Sequence, residues 1–137
     1  MSPPFILIVD DNPLNLKLAC DVLAFDGYRI ARAADAAEAA ALIARTPPDL
    51  ILMDIQMPGM DGLTFSRVLK SDAATRRIVV VALTSFAMSG DEDKARLAGC
   101  DAYLTKPIDS RRLGRQVAEA WERAQSQPEL NSTSAQP

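Results

Sequence analysis

The chain contains no histidine. That absence removes the base of a Ser-His-Asp triad, the partner of a Cys-His dyad and the imidazole ligands of a histidine-bound zinc site. Cysteine is almost as scarce. Cys20 and Cys100 stand far apart without a Cys-x-x-Cys spacing, and read as small buried apolar residues of a reduced compartment. Excess positive charge is also missing: the formal net charge is −3, and Arg76-Arg77 and Arg111-Arg112 are the only adjacent basic pairs. Without clustered Lys and Arg to release counterions from a phosphate backbone, nucleic acid is excluded as a partner. Met1-Ser2-Pro3-Pro4 carries no basic leader, and the apolar runs after it are too short to cross a bilayer. A soluble, cytoplasmic chain with no membrane insertion is expected.

What is present is a single domain's worth of ordinary globular sequence, 137 residues with 48% hydrophobic and 24% charged. Three short unbroken apolar runs stand out, Phe5 to Val9, Leu50 to Met53 and Ile78 to Leu83. They lack alternation, as strands covered on both faces do, and the segments between them are long enough for helices. The rhythm predicts an α/β fold with a parallel sheet.

Asn12 is positioned to cap a first helix with Pro13 at its first turn, ending at Gly27. Leu14, Leu18, Val22 and Phe25 then form its inward stripe, widened by Leu16, Cys20 and Leu23. A weaker strand spans Tyr28 to Ala33. Asp35 and Glu38 resemble a capping box opening an Ala-rich helix that Thr46-Pro47-Pro48 stops. A third helix is expected over 62–72 and a fourth over 89–98, the latter acidic in its N-terminal half and ended by Gly99. Ala102 to Thr105 forms a last short strand. A fifth helix begins near Asp109, with Leu113, Val117, Ala120 and Trp121 on one face. The domain is expected to cover 1–124, and the polar segment 125–137 to be a flexible tail. No repeat or second zone of composition leaves room for an output domain.

Three strands end in polar residues: Asp10-Asp11 after Val9, Asp54 after Met53, and Thr84-Ser85 after Leu83. In an open parallel sheet the carboxyl ends of the strands share one crevice. The fifth strand delivers Lys106 to the same rim. Crowded carboxylates need a compensating cation, and an all-oxygen set selects a hard ion such as Mg²⁺. With such an ion bound, one carboxylate can attack a phosphoryl group while Lys106 helps neutralise its oxygens. Asp54 is the natural nucleophile, because Asp10 and Asp11 are needed to hold the metal.

The stretches Ile8-Val9-Asp10-Asp11-Asn12, Leu52 through Gly62, Ala82-Leu83-Thr84-Ser85 and Leu104-Thr105-Lys106-Pro107-Ile108 resemble, in order and register, the receiver domains of two-component response regulators. The resemblance runs from about Phe5 to Trp121 and is of the chemotaxis-regulator type. It implies a flavodoxin-like (βα)5 fold, a doubly wound five-stranded parallel sheet in order 2-1-3-4-5 with helices on both faces. It also implies a phosphoacceptor, Asp54, fed by a histidine kinase or histidine phosphotransfer protein. Asp11, Asp54 and the backbone carbonyl of Gln56 would hold Mg²⁺, with Asp10 acting through water. Thr84, Ser85, Tyr103, Lys106 and Pro107 would form the phosphate-binding and switch set, with a cis peptide before Pro107. Thr84 would move toward the phosphate and let Tyr103 turn inward, changing the face of the fourth helix, fifth strand and fifth helix for a downstream protein target. Gln56 and Phe86 flank the acceptor and are expected to set the phosphate's lifetime. Phe86-Ala87-Met88 and Gly90-Asp91 resemble a stand-alone cell-cycle member of the family. The expectation is a signalling switch rather than an enzyme, monomeric unless it dimerises.

Taken singly, each residue has a plainer reading as a cap, a strand end or surface, and Asp35, Asp49, Asp61 and Asp101 are read that way. Three rival readings exist. A haloacid-dehalogenase type of phosphatase needs a second aspartate where Asn12 stands. A flavodoxin would offer hydroxyls and amides to its flavin phosphate, and Asp10-Asp11 would repel that group. A receiver cut from a hybrid kinase or from a regulator with an output domain is the nearest alternative.

Overall fold

The computed structural model describes residues 3–57, 59–84 and 91–126. Five strands and five helices alternate: β1 (Phe5–Val9), α1 (Pro13–Phe25), β2 (Arg29–Ala33), α2 (Ala36–Arg45), β3 (Leu50–Asp54), α3 (Gly62–Ser71), β4 (Val79–Thr84), α4 (Asp91–Leu97), β5 (Ala102–Thr105) and α5 (Leu113–Ser126). The strands form one parallel sheet in order β2-β1-β3-β4-β5, the predicted doubly wound arrangement.

Period-two alternation divides the sheet's side chains between two cores. Ile6, Ile8, Leu50, Leu52, Val79, Val81 and Leu83 point to one face, where α1 and α5 cover them through Ala19, Leu23, Leu113, Val117 and Ala120. Leu7, Val9, Ile51, Met53 and Val80 point to the other, under Ala36, Ala39 and Ile43 of α2 and Phe65 and Leu69 of α3. Because the central strands are buried on both faces, their sequences show no polar alternation.

The inward stripe of α1 differs from the expected one. Ala19 and Leu23 are the buried positions, with Leu16, Cys20 and Val22 partly buried beside them, while Leu14 is 79%, Leu18 37% and Phe25 91% exposed. Residues 16, 19, 20 and 23 also satisfy the i, i+3, i+4, i+7 pattern. The helix carries apolar residues on two faces, and small Ala19 selects the face that can approach the sheet. Phe25→Ala should therefore change unfolding free energy by less than about 0.5 kcal/mol, whereas truncating a buried Phe costs about 3–5 kcal/mol. A urea midpoint shifted by the larger amount would contradict this orientation.

Two boundaries also shift. Asp109 holds a turn, accepting the Arg111 N–H at 2.9 Å, and α5 itself begins at Leu113. At its other end α5 includes Gln125 and Ser126, the first two residues of the expected tail; 127–137 lie outside the described residues. The expected fourth helix over 89–98 is present as Asp91–Leu97, its first two residues also lying outside. Both cysteines are free and half-buried, and burial pushes both thiols above their ordinary pKa, toward the unreactive form. No helix among the described residues is long and apolar enough to cross a membrane.

Candidate functional site

β1 and β3 end on adjacent ladders, so Asp10 and Asp54 reach the same edge of the sheet, and each is only 2% exposed. Each is aimed by a turn of its own backbone. Asp10 Oδ1 accepts the N–H of Asn12 at 2.9 Å, and Asp54 Oδ1 accepts the N–H of Gln56 at 2.9 Å. Asn12 in turn caps α1, accepting the N–H groups of Leu14 and Asn15 at 2.9 and 3.1 Å. One oxygen of each aspartate is thus fixed to local backbone, and the other is left for the crevice.

Lys106, carried in just after β5, meets those second oxygens. Its Nζ lies 3.3 Å from Asp54 Oδ2 and 3.4 Å from Asp10 Oδ2, with its side chain 12% exposed. The backbone of Lys106 is tied to β4 by its N–H, which donates to the Thr84 carbonyl at 2.7 Å. The Lys106–Pro107 peptide is cis.

Exposed Asp11 completes the group: Asp10, Asp11 and Asp54 each offer an oxygen, and those atoms all lie within 4.8 Å of one another. Three carboxylates thus stand against one ammonium. Burial chiefly, with added repulsion from Asp10 and the hydrogen bond that a protonated Asp54 can donate to Asp11, raises the Asp54 pKa from an ordinary 3.8 to about 6, against the opposing pull of the Gln56 N–H and Lys106. Asp10 Oδ2 is buried and accepts no hydrogen bond from the described residues. An all-oxygen group with excess negative charge, and a buried oxygen that has an ion pair with Lys106 but no hydrogen bond, suits a small hard divalent cation.

Thr84 closes the crevice at the end of β4, fully buried, with its Oγ1 accepting a hydrogen bond from Gln56 Nε2 at 2.7 Å. Tyr103 on β5 is half-buried against Ile55, Ala82 and Ala95. The structure therefore brings together Asp10, Asp11, Asp54, Gln56, Thr84 and Lys106, with Pro107 following the lysine and Tyr103 further along β5. Ser85 and Phe86 lie outside the described residues.

The response regulator receiver domain model matches residues 6–118, most of the chain and every residue of this crevice. The chain belongs to the response regulator receiver family. The polar-differentiation response regulator DivK of Brucella anthropi is 47% identical over 106 residues, covering 77% of this chain and 86% of that protein. DivK of Brucella ovis is 48% identical over 103 residues, covering 75% and 84%. Among solved structures, a CheY-like receiver domain protein from Methanospirillum hungatei superposes with a TM-score of 0.81 at 29% identity, covering 92% of this chain and 99% of that one. A response regulator from Chloroflexus aurantiacus gives 0.83 at 29%, covering 88% and 99%.

Two features of this receiver escape the sequence reading. One is the side-chain bond from Gln56 to Thr84, which joins residues 28 apart and has no local signature. The other is Gly62, a buried glycine at the start of α3. A Cβ there would lie 2.5 Å from the Asp54 carbonyl oxygen and 2.7 Å from the Ile55 Cα. A glycine opening an amphipathic helix, where Asp61 already supplies the cap, is the signal that could have revealed this close approach.

Proposed function

We propose that this receiver is a phosphorylation-operated switch of a two-component or phosphorelay system, with Asp54 as phosphoacceptor. The observation that carries it is the convergence of buried Asp54 and Asp10 with Asp11 and Lys106 on one edge of the sheet. An Asp54 carboxylate oxygen attacks the phosphorus of a phosphohistidine on a histidine kinase or histidine phosphotransfer protein. As the new O–P bond forms, the N–P bond breaks, and its electron pair leaves with the imidazole nitrogen. Lys106 is already within 3.3 Å of the acceptor and faces the charge brought in. Asp11, Asp54 and the Gln56 carbonyl are the groups to hold Mg²⁺, with Asp10 acting through water; the ion supplies neutralisation of the phosphoryl oxygens and of the carboxylate repulsion.

The chain turns over no substrate of its own. The added charge draws the Thr84 hydroxyl and biases a two-state equilibrium of the α4-β5-α5 face, on which a downstream protein reads the state in the cytoplasm. Incubation with acetyl phosphate and Mg²⁺ should add one phosphoryl group per chain by intact mass. Failure of any mass gain would count against the reading.

Mg²⁺ should also raise the melting temperature, since it binds the folded arrangement of carboxylates. At free Mg²⁺ ten times its dissociation constant the gain is about 1.4 kcal/mol. With the folded-state Asp54 pKa raised to about 6, the contribution of this one carboxyl to metal-free stability is fully present below the ordinary carboxylate range and is lost as pH rises through about 6. The ion needs the ionised carboxylate, so its stabilising effect should be larger at pH 7.5 than at pH 5. Equal Mg²⁺-induced shifts at the two pH values would sink this account.

A further inference from the structure

Among the groups around the crevice, Gln56 touches both the acceptor and a moving part of the proposed switch. Its backbone N–H fixes Asp54 Oδ1 at 2.9 Å, and its side-chain amide donates to Thr84 Oγ1 at 2.7 Å. The same residue thus holds both the acceptor and the hydroxyl that must answer it. Gln56 is half-buried and Thr84 fully buried, so this amide–hydroxyl bond is largely shielded from competing water.

We infer that Gln56 is a positioning residue that latches Thr84 in the resting state and so sets the balance between resting and activated conformers before any phosphate arrives. This rests on the proposed phosphoacceptor role of Asp54 and names a regulator of that site. The Thr84 hydroxyl can move toward Asp54 only by stretching or breaking its 2.7 Å bond to Nε2. A side chain unable to donate removes that restraint. The resting population of activated conformers should then rise, and the phosphorylated state should be reached at lower cost.

The test uses the full chain in three steps. Gln56→Met keeps the side-chain length and removes the donor, and Gln56→Ala removes the side chain altogether. In each, the Tyr103 amide and ring resonances are recorded without phosphodonor and placed between the positions found for the resting and the acetyl-phosphate-saturated wild type. Breaking one net hydrogen bond should raise the activated fraction roughly 3- to 10-fold. The same substitutions are then made in Thr84→Val, which lacks the hydroxyl, and in Thr84→Ser, which keeps it. The rise should vanish in the Val background and persist in the Ser background, which a merely structural role would not produce. An unchanged Tyr103 position in both Gln56 variants, or an equal rise in the Val background, overturns the latch. Intact mass after acetyl phosphate treatment is read on the wild type separately: no phosphoryl gain there defeats the acceptor reading, whatever Gln56 does.

Discussion

Asp54→Asn is expected to lose all phosphorylation by acetyl phosphate and Mg²⁺, and at the same time to unfold at a higher temperature than the wild type in metal-free buffer at neutral pH. Both effects follow from one carboxylate. The amide oxygen of Asn still accepts the Gln56 N–H that Asp54 Oδ1 accepts at 2.9 Å, so the loop is retained, but the nucleophilic charge is gone. The displacement of Asp54 from 3.8 to about 6 corresponds to about 3 kcal/mol at about 1.4 kcal/mol per pH unit. Removing the charge relieves a large part of this, and a gain of about 1–3 kcal/mol is expected above pH 6. It should disappear below about pH 4, where the wild-type carboxyl is protonated in both states. Lys106 keeps Asp10 as a partner at 3.4 Å, so the substitution does not strand the ammonium. Mg²⁺ should narrow or reverse the difference, because only the wild type offers all three carboxylates. A variant that still gains the mass of a phosphoryl group would show that another residue is the acceptor. One less stable than the wild type in chelator would show that the carboxylate cluster is not under strain.

Such strain is visible in sequence only as a list of acidic strand ends. Unbroken apolar runs announce strands buried on both faces, and the polar residue closing each run marks the carboxyl edge, so Asp10, Asp54 and Thr84 can be placed together from the sequence. Lys106 follows from the same rule through β5. The weakly amphipathic α1 is less legible, because apolar residues line two of its faces and the pattern of Leu14, Leu18 and Phe25 is as regular as that of Leu16, Ala19, Cys20 and Leu23. Alanine contributes little to an apolar stripe, yet its small size is what lets the helix approach the sheet. The fifth helix differs from expectation at both ends for a related reason. Asp109 has the chemistry of a cap but opens a turn over 110–112 that leads into α5, its carbonyl accepting the Leu113 N–H at 2.9 Å, and Gln125 and Ser126 are polar residues that continue a helix already held by Leu113, Val117 and Ala120. Composition does not reveal a helical overhang into solvent. Asp101 reads in sequence as a turn residue, yet it accepts both the Lys70 ammonium at 2.9 Å and the Val80 N–H at 2.8 Å, tying α3 to the entry of β4. Long-range side-chain contacts of this kind, like the bond from Gln56 to Thr84, depend on which loops the fold brings together and leave no periodic trace.

Gly62→Ala should be the most damaging single-methyl change near the site. The added Cβ would meet the Asp54 carbonyl oxygen at 2.5 Å and the Ile55 Cα at 2.7 Å, and both are backbone atoms at the exit of β3. A flexible side chain could rotate away from such a contact. Here the start of α3 must retreat or the acceptor loop must shift, and the Gly62 N–H to Ile55 carbonyl bond at 3.3 Å is already long. A loss of about 3 kcal/mol, the upper end of over-packing costs, is expected in denaturant unfolding. The phosphorylation rate with acetyl phosphate should fall with it, because Asp54 and the Gln56 N–H that aims it are the atoms pushed. Gly59→Ala provides the contrast. Gly59 has φ +76 and nothing within 4 Å of where a Cβ would stand, so its substitution costs only left-handed backbone strain of about 1–2 kcal/mol. If strain anywhere in the β3–α3 loop were what mattered, the two variants would lose phosphorylation alike. If contact with the acceptor's own backbone is what matters, Gly62→Ala loses it and Gly59→Ala, although destabilised, is phosphorylated at close to the wild-type rate.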